Sequence, residues 1–178
     1  MPSAATGGIG SAILASRPAW REMPKISALI HSNHDARPLA RALETLRCCD
    51  EVLVIEHNSQ QDTEKVAHEY GTILKPAILG VDDGAYAVDC NHDWIFCLLP
   101  NETVSEALEA ALLEWKESDP KDVSGYSVNV RQQTGNGWQD LGNEMRLANR
   151  KKVNWKERIP PLADNSGKLS GDVLRFGD

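Results

Sequence analysis

Polar side chains that could hydrogen bond a ligand or hold a cation gather at three places in the chain, each just after an apolar run. The three segments are His31-Ser32-Asn33, Glu56-His57-Asn58 and Asn101-Glu102. Imidazole, carboxylate and amide groups accept or donate hydrogen bonds, and carboxylates also bind hard cations. The apolar runs before them are typical of buried strands. We therefore expect a ligand site at the ends of three strands.

The loop after the first run holds two histidines and an acid, which raises the question of a zinc site. His31, Asn33, His34 and Asp35 crowd this loop. Neighbouring residues of one turn seldom converge on a single ion, whereas an aspartate directly before a helix commonly caps it. We therefore interpret Asp35 as a helix cap.

Strand and helix signals alternate from residue 25 onward, and they predict the elements that must hold these segments. The expected strands are Ile26–Ile30, Glu51–Ile55, Thr72–Leu74, Trp94–Leu98, Tyr126–Val130 and Met145–Leu147. Helices are expected after Asp35, at Thr63–Tyr70 before a terminating Gly71, at Gly84–Cys90, and after a capping Ser105. Repeated strand–helix units favour a largely parallel sheet, whose ligands bind outside the carboxyl ends of the strands.

The length and the net charge of the chain are typical of one globular domain, and they argue against a role in binding nucleic acid or a membrane. The chain has 178 residues and a formal charge of −7. Binding to nucleic acid or anionic lipid, which needs clustered positive charge, is not expected. The longest apolar run, Trp94–Leu99, is far shorter than the roughly 20 residues of a membrane span. Residues 1–24 are rich in Ala, Ser and Gly and indicate a flexible arm before a domain over residues 25–178.

The four cysteines point to a reducing compartment. Cys48, Cys49, Cys90 and Cys97 form no Cys-x-x-Cys pair and have no matched histidine spacing. Neither a zinc site nor a disulfide framework is therefore indicated. Reduced thiols and an N-terminus without a secretory pattern together predict a cytoplasmic protein.

The three strand ends resemble those of family-two glycosyltransferases. The segment Ile26–Asp35 is similar to the family's opening strand with its Thr-x-Asn-Glu-like turn. Glu51–Ser59 is similar to the second strand with its Asp-x-Gly-Ser-x-Asp turn. Asp93–Glu102 resembles the Asp-Trp-hydrophobic run that leads into Asp-Ala-Asp-Glu. Gly137–Leu147 and Gly167–Gly171 are similar to acceptor-side segments of the lipopolysaccharide-type branch.

The resemblance implies an α/β fold of the glycosyltransferase A (nucleotide-diphospho-sugar transferase) type, with a mostly parallel central sheet flanked by helices. It also implies a nucleotide-diphosphate sugar as ligand and an acceptor of unidentified kind. The residues expected to contact the nucleotide sugar are His31, Ser32, Asn33, Glu56, Asn58, Asp82, Asp83 and Asn101. Asp140 and Glu144 are the candidates for a base that deprotonates the acceptor hydroxyl. For each of them, plain surface solvation is the alternative.

The metal-binding acidic pair of the family is replaced in this chain. Leu99-Pro100-Asn101 stands where the family has two aspartates around one residue, and only Glu102 keeps its charge as a metal ligand. Because hard divalent cations prefer anionic oxygens, the change weakens the expected binding of Mg²⁺ or Mn²⁺. Asp82 and Asp83 could supply ligands from a neighbouring loop, or could simply begin the short helix that follows them.

Two functions from different classes stay open. One is a glycosyltransferase-like protein that binds a nucleotide-diphosphate sugar and transfers the sugar to an acceptor hydroxyl. The other is a catalytically degenerate member that serves as a binding or scaffold module, as a homo-oligomer or with a protein partner. A nucleotidyltransferase of related fold is disfavoured, because no Gly-rich and Arg-rich phosphate-binding segment follows the first strand.

Overall fold

A computed structural model of the chain describes residues 22–33, 36–58, 60–120 and 122–177. Most of the expected arm, together with His34 and the expected helix cap Asp35, lies outside these residues. The strands are β1 (Ile26–Ser32), β2 (Glu51–Glu56), β3 (Ile73–Pro76), β4 (Trp94–Leu98), β5 (Glu102–Val104), β6 (Gly125–Thr134), β7 (Gly137–Asn149) and β8 (Ser166–Arg175). The helices are α1 (Ala36–Glu44), α2 (Gln61–Glu69) and α3 (Glu106–Trp115), with a short 3-10 helix over Asp83–Asp89.

The strands of the described residues join one mixed sheet in the order β3-β2-β1-β4-β7-β6-β8-β5. The first four strands in this order run parallel to their neighbours. Beyond β4, the pairs β4–β7, β7–β6 and β8–β5 are antiparallel, and β6–β8 is parallel. The predicted α/β class is confirmed, and the expected parallel arrangement describes the half of the sheet that holds β1 to β4.

Alternate residues of β1 and β2 face opposite layers of the core. Ile30 lies in the layer that α1 and α3 build against the sheet. Leu29 and Ile55 belong to the opposite layer, with Tyr86 of the 3-10 helix. Because side chains alternate along a strand, His31 faces the same layer as Leu29. The layers thus decide which polar side chains can meet at the strand ends.

Two predicted helix ends are confirmed. The Ser105 hydroxyl accepts a hydrogen bond from the backbone N–H of Leu108 at 3.2 Å, at the start of α3. Gly71 has a φ of 65° directly after the end of α2. Glycine adopts this left-handed conformation without the strain that a Cβ would cause, so it ends the helix cleanly.

Two of the buried thiols, those of Cys90 and Cys97, are held in the protonated form. All four cysteines are free, and Cys48, Cys90 and Cys97 are buried. Burial raises the pKa of Cys90 and of Cys97 to about 12, so neither is a reactive thiolate at neutral pH.

None of the described helices is long and apolar enough to cross a membrane.

Candidate functional site

The direction in which the chain adds strands to the sheet reverses beside β1. From β1 the chain proceeds outward through β2 and β3, and then returns to place β4 on the other side of β1. In open α/β sheets such a reversal separates the connections on the two sides and leaves a crevice at the carboxyl ends of the strands. His31 and Ser32 end β1 at this crevice, and Asn33 follows directly.

Two histidines and an aspartate from three separate segments converge at the ends of β1 and β2. His31 Nδ1 lies 2.8 Å from His57 Nε2, and Asp83 Oδ1 lies 3.7 Å from each of these nitrogens. We call His31, His57 and Asp83 the histidine–aspartate cluster. His31 is in register with Ile55 of β2, and His57, two residues later, keeps the same side-chain alternation. Alternation and register therefore bring the two rings together.

A backbone carbonyl fixes the position of the proton on the His31 ring. His31 Nε2 lies 3.2 Å from the carbonyl oxygen of Asp83, and a carbonyl can only accept a hydrogen bond. Nε2 of the neutral ring therefore carries the proton, and Nδ1 accepts the hydrogen bond that His57 Nε2 donates. Tyr86 packs edge-on against the His31 ring, with the centroids 5.8 Å apart. These contacts hold the Nδ1 lone pair toward His57.

Both histidines of the cluster are kept neutral by their surroundings. Burial lowers the pKa of His31 to about 4, although the charge of Asp83 acts in the opposite direction. Burial also lowers the pKa of His57, and the nearby Arg158 guanidinium adds to the effect. At neutral pH the cluster is therefore two uncharged imidazoles beside a carboxylate.

Arg158 connects the cluster to the loop after β1 and to an open cavity. Its Nε donates to Asp83 Oδ2 at 2.9 Å, and its Nη2 donates to Asn33 Oδ1 at 3.1 Å. Arg158 and Asp83 also line a cavity of about 520 Å³, together with Asp82 and Lys156. The cavity thus offers both cationic and anionic groups to a ligand.

Gly84 allows Asp83 to reach the histidines. Its N–H donates to the carbonyl of Lys156 at 2.9 Å. A Cβ at this position would lie 2.2 Å from the carbonyl oxygen of Trp155. No side chain fits in that space, so the glycine permits the close backbone approach that locates Asp83.

The other predicted nucleotide-sugar contacts at β1 and β2 differ in exposure. Ser32 is buried, and its carbonyl accepts the backbone N–H of His57 at 3.0 Å. Glu56 is also buried, and its Oε1 accepts the backbone N–H of Gln60 at 3.0 Å, just before α2. Asn58 is exposed. Ser32 and Glu56 thus hold the loops in place, and a direct role in ligand binding stays a prediction for all three.

A second group of charges closes the carboxyl end of β4. The fully buried Arg146 donates to Glu102 through two nitrogens, at 2.6 and 2.9 Å, and to the Cys97 carbonyl at 3.2 Å. Arg146 Nη2 also donates to Glu144 at 2.6 Å, and Arg175 Nε donates to Glu102 Oε1 at 2.9 Å. We call Glu102, Glu144, Arg146 and Arg175 the arginine–glutamate cluster. Burial opposes the charge of Arg146, but Glu102 and Glu144 outweigh it and raise the pKa of Arg146.

Glu102 is not placed to hold a metal ion, which corrects the expectation from the sequence. Its side chain is fully buried. Oε1 accepts from Arg146 and Arg175, and Oε2 accepts from Arg146 and from the backbone N–H of Leu99. Two guanidinium groups at this distance would repel a cation. Glu102 is therefore an interior ion-pair partner.

The residues before Glu102 do not fit the Mg²⁺ or Mn²⁺ that the family resemblance implies. Leu99 and Pro100 carry no side-chain ligand atom. The Asn101 amide nitrogen donates to the Phe176 carbonyl at 3.1 Å, which leaves one neutral amide oxygen where such cations prefer carboxylates. No reaction step through a cation at this place follows from the arrangement.

Asp140 and Glu144, the two candidates for a base, have different surroundings on β7. Glu144 is half-buried and contacts both arginines of its cluster, with Oε1 3.6 Å from Arg175. Asp140 is exposed on the hairpin of β6 and β7, and its Oδ1 accepts the backbone N–H of Gly142 at 3.0 Å. Of the two, only Glu144 is joined to the end of β4, and the assignment of either as a base stays a prediction.

Sequence reasoning did not identify His57 and Arg175 of these clusters as site residues, nor Arg158 beside them. His57 lies in one of the polar segments, and the alternation it shares with His31 is the signal that could have identified it. Arg158 belongs to an irregular segment, and Arg175 belongs to β8, which was not predicted as a strand. No local sequence pattern marks either arginine.

Curated proteins similar to the chain carry glycosyltransferase names. An uncharacterized glycosyltransferase of Rickettsia typhi is 31% identical over 165 residues, which are 87% of this chain and 56% of that protein. Another, of Rickettsia felis, is 34% identical over 91 residues, which are 49% of this chain and 32% of that protein. The chain thus spans only part of the length of the curated relatives it matches. No family model matches it.

The comparison with solved structures finds matches of low sequence identity, and two of them have TM-scores below 0.5. Glucosyl-3-phosphoglycerate synthase from Mycobacterium tuberculosis, in complex with Mn²⁺ and uridine-diphosphate-glucose, is 14% identical with a TM-score of 0.45, over 67% of this chain and 50% of that chain. Mannosyl-3-phosphoglycerate synthase from Rubrobacter xylanophilus is 15% identical with a TM-score of 0.48, over 61% of this chain and 41% of that chain.

The fold and the crevice define an α/β domain of the kind that binds ligands at the carboxyl ends of parallel strands. The curated sequence relatives make the identification more particular. They carry glycosyltransferase names, and one of them aligns with 87% of this chain. The chain is similar to proteins named glycosyltransferases over most of its own length, and the resemblance read from its sequence is confirmed. Its assignment to the lipopolysaccharide-type branch stays a prediction.

Proposed function

We propose that the chain binds a nucleotide-diphosphate sugar in the crevice at the carboxyl ends of β1, β2 and β4, and transfers the sugar to an acceptor hydroxyl. The observation that carries this proposal is the convergence of polar groups from separate segments beside an open cavity. His31, His57, Asp83 and Arg158 meet there, at the reversal of strand order. The glycosyltransferase names of the relatives support the choice of ligand class.

The diphosphate of the ligand would be neutralised by the protein's own cations. Arg158 and Lys156 both line the cavity. A guanidinium group can bind two phosphate oxygens at once, and a lysine adds a mobile positive charge. Asn33 and Asn58, both exposed at the strand ends, would hydrogen bond the ribose or base. This arrangement does not require the acidic pair that the family normally provides.

The base that accepts the proton of the acceptor hydroxyl is the finer part of the proposal. Glu144 Oε2 accepts a hydrogen bond from Arg146 at 2.6 Å, and its Oε1 lies 3.6 Å from Arg175, so both of its oxygens already contact a guanidinium group. Asp140 lacks such a pair of cations among its observed contacts and is exposed. These contacts favour Asp140 as the base. If Asp140 is the base, Asp140→Asn should lower kcat more than Glu144→Gln does. The reverse result would assign Glu144.

Calorimetry with a panel of nucleotide-diphosphate sugars tests the binding step. The panel includes uridine, guanosine, adenosine and thymidine derivatives, each titrated with and without Mg²⁺ or Mn²⁺. Arg158→Gln should weaken binding at least about tenfold, which is about 1.4 kcal/mol. Lys168→Gln, an exposed change on β8, is the matched control and should bind like the original chain. Failure of every nucleotide sugar to bind would refute the proposal.

A scaffold role is the second candidate, and the closed end of β4 favours it. The arginine–glutamate cluster occupies Glu102 fully, and no carboxylate remains at residues 99–101. The double substitution Leu99→Asp and Asn101→Asp restores the acidic pair and discriminates between the candidates. Gain of Mn²⁺-dependent hydrolysis of a nucleotide sugar would indicate a dormant catalytic site, whereas no gain would favour the scaffold.

A further inference from the structure

We propose that the histidine–aspartate cluster is a binding site for a divalent transition-metal ion of the zinc type, with His31 Nδ1, His57 Nε2 and Asp83 Oδ1 as its ligands. The site differs from the acidic pair expected at residues 99–101 in its position and in its ligand chemistry. Imidazole nitrogens favour borderline cations such as Zn²⁺ over Mg²⁺. The three ligands come from β1, from the loop after β2 and from the 3-10 helix.

The distances between the three ligand atoms match those of a tetrahedral site. Bonds of about 2.0 to 2.2 Å from zinc to nitrogen or oxygen separate neighbouring ligand atoms by about 3.3 to 3.4 Å. In the cluster the nitrogens are 2.8 Å apart, and Asp83 Oδ1 is 3.7 Å from each of them. The observed values lie on either side of the tetrahedral value. Movements of roughly half an ångström would therefore form the site.

The hydrogen bond from Arg158 holds Asp83 Oδ2, but it does not account for the position of Oδ1 between the two rings. At 3.7 Å, Oδ1 is too far from either ring nitrogen for a hydrogen bond. It nevertheless faces both His31 Nδ1 and His57 Nε2. A hydrogen-bonded network would bring the oxygen onto one of the nitrogens, whereas a shared cation would satisfy all three atoms at once.

The groups around the cluster already orient the ligands for a metal ion. Metal-bound histidines usually donate their second N–H to a carbonyl or carboxylate, which fixes the tautomer. His31 Nε2 makes such a contact with the Asp83 carbonyl at 3.2 Å. Arg158 Nε donates to Oδ2, the other oxygen of the Asp83 carboxylate, at 2.9 Å. Binding then requires only that the His57 proton move from Nε2 to Nδ1 through solvent, with no net release of a proton.

One side of the site opens toward the cavity. The His31 side chain is 2% exposed, whereas His57 and Asp83 are 26% and 28% exposed. Three protein ligands with a solvent-facing side are the arrangement of zinc sites that keep a fourth position for water or substrate. If the proposed function also holds, that position would suit a phosphate oxygen of the nucleotide sugar. This last step alone rests on the proposed function.

Metal titration of the chelator-treated chain tests the inference directly. Zn²⁺ binding is measured by calorimetry, and Co²⁺ serves as a spectroscopic probe because four-coordinate Co²⁺ absorbs visible light strongly. We expect one ion per chain. His57→Gln and Asp83→Asn should each weaken Zn²⁺ binding at least about 100-fold. Changes to groups that contact only the ligands cost about 10- to 100-fold, and loss of a ligand itself should cost more. His68→Gln, an exposed histidine of α2, is the matched control and should leave the affinity unchanged.

Thermal unfolding of each variant establishes that lost binding is not lost folding, and two separate ligand variants protect against failure of one. Absence of stoichiometric Zn²⁺ binding to the original chain would overturn the inference, as would unchanged affinity in folded His57→Gln. The nucleotide-sugar titrations are independent of this result. Binding of a sugar nucleotide without binding of Zn²⁺ would support the proposed function and refute the metal site. Binding of Zn²⁺ without binding of any sugar nucleotide would support the metal site and refute the proposed function.

Discussion

The two charged clusters at the carboxyl edge of the sheet accommodate charge in opposite ways. In the arginine–glutamate cluster, each oxygen of Glu102 accepts two hydrogen bonds within 3 Å. In the histidine–aspartate cluster, Asp83 Oδ1 faces two neutral rings at 3.7 Å and bonds neither. In the first cluster the Glu102 carboxylate is fully hydrogen bonded, which suits a structural role. The second brings three potential ligand atoms within 4 Å of one another, which suits a ligand.

The difference follows the two halves of the sheet. The histidine–aspartate cluster lies at the strand reversal of the parallel half, where a crevice forms between diverging connections. The arginine–glutamate cluster lies where β4 meets the antiparallel half, and strands β5, β7 and β8 supply its members. Packed strands on several sides exclude water there, so every buried charge needs a partner.

Removal of one charge from the arginine–glutamate cluster should have the largest effect on stability. Glu102→Gln removes the carboxylate that the buried Arg146 contacts through two nitrogens, and leaves the arginine with Glu144 alone. Removal of one partner of a buried ion pair costs about 3 to 5 kcal/mol, and the remaining contact with Glu144 places the expected loss at the lower end of that range. Urea unfolding measures the change.

Glu106→Gln provides the control for that measurement, since it removes an exposed carboxylate of α3. Such a surface change should alter the free energy of unfolding by at most about 0.5 kcal/mol. If Glu102→Gln were as mild as its control, the cluster would not be the stabilising element that its geometry indicates.

Acidification should destabilise the chain through the other cluster. The pKa of His31 is about 4 in the folded chain, against 6.5 as its ordinary value. Between these pH values the unfolded chain binds more protons than the folded chain, so the free energy of unfolding falls as pH drops from 6.5 toward 4. The loss attributable to His31 is up to about 3 kcal/mol, and the lowered pKa of His57 acts in the same direction.

Chemical denaturation at a series of pH values checks this dependence. His57→Gln should give a shallower fall, because it removes one of the two groups, whereas His68→Gln should follow the original chain. Stability that is constant from pH 6.5 to 4 would show that His31 is not held neutral by burial.

Displacement of Asp83 by a change at Gly84 should weaken Zn²⁺ binding while the chain still folds. Gly84→Ala places a Cβ 2.2 Å from the Trp155 carbonyl oxygen, so the backbone must shift. Forcing extra volume into a packed contact typically costs about 1 to 3 kcal/mol, and the shift should move Asp83 away from the histidines and weaken Zn²⁺ binding. Gly135→Ala, where no atom lies within 4 Å, is the control. Undiminished Zn²⁺ binding by Gly84→Ala would mean that Gly84 does not position the ligand.

The strands that carry the crevice could be predicted from the sequence, because their apolar runs are continuous. β1, β2 and β4 were found within two residues of their observed bounds. β5 and β8 were not, since β5 has three residues and β8 contains two glycines that usually argue against a strand. One of them, Gly171, has a φ of 91° and lies against the start of α3, a packing reason that no local pattern conveys.

The sequence predicts the location of the site at the strand ends, but it does not predict which side chains contact each other there. The strand ends followed from the alternating elements, and Asp83 and His31 were named there. Their meeting with His57 depends on the register of β1 with β2, which strand signals do not specify. Glu102 was assigned to metal binding because its sequence neighbours were compared, whereas its partners Arg146 and Arg175 come from distant strands.

The substitution with the smallest expected effect on stability, Arg158→Gln, should instead change the pKa values of the histidines. Arg158→Gln removes a partly exposed ion pair with Asp83, so the free energy of unfolding should change by about 1 kcal/mol or less. The guanidinium charge lowers the pKa of both His31 and His57, and its removal should therefore raise both. NMR titration of the histidine ring protons measures the shift, with Lys151→Gln as a control for loss of a distant surface cation. An unchanged His57 pKa in Arg158→Gln would mean that burial alone keeps the ring neutral, and that Arg158 positions Asp83 without tuning the histidines.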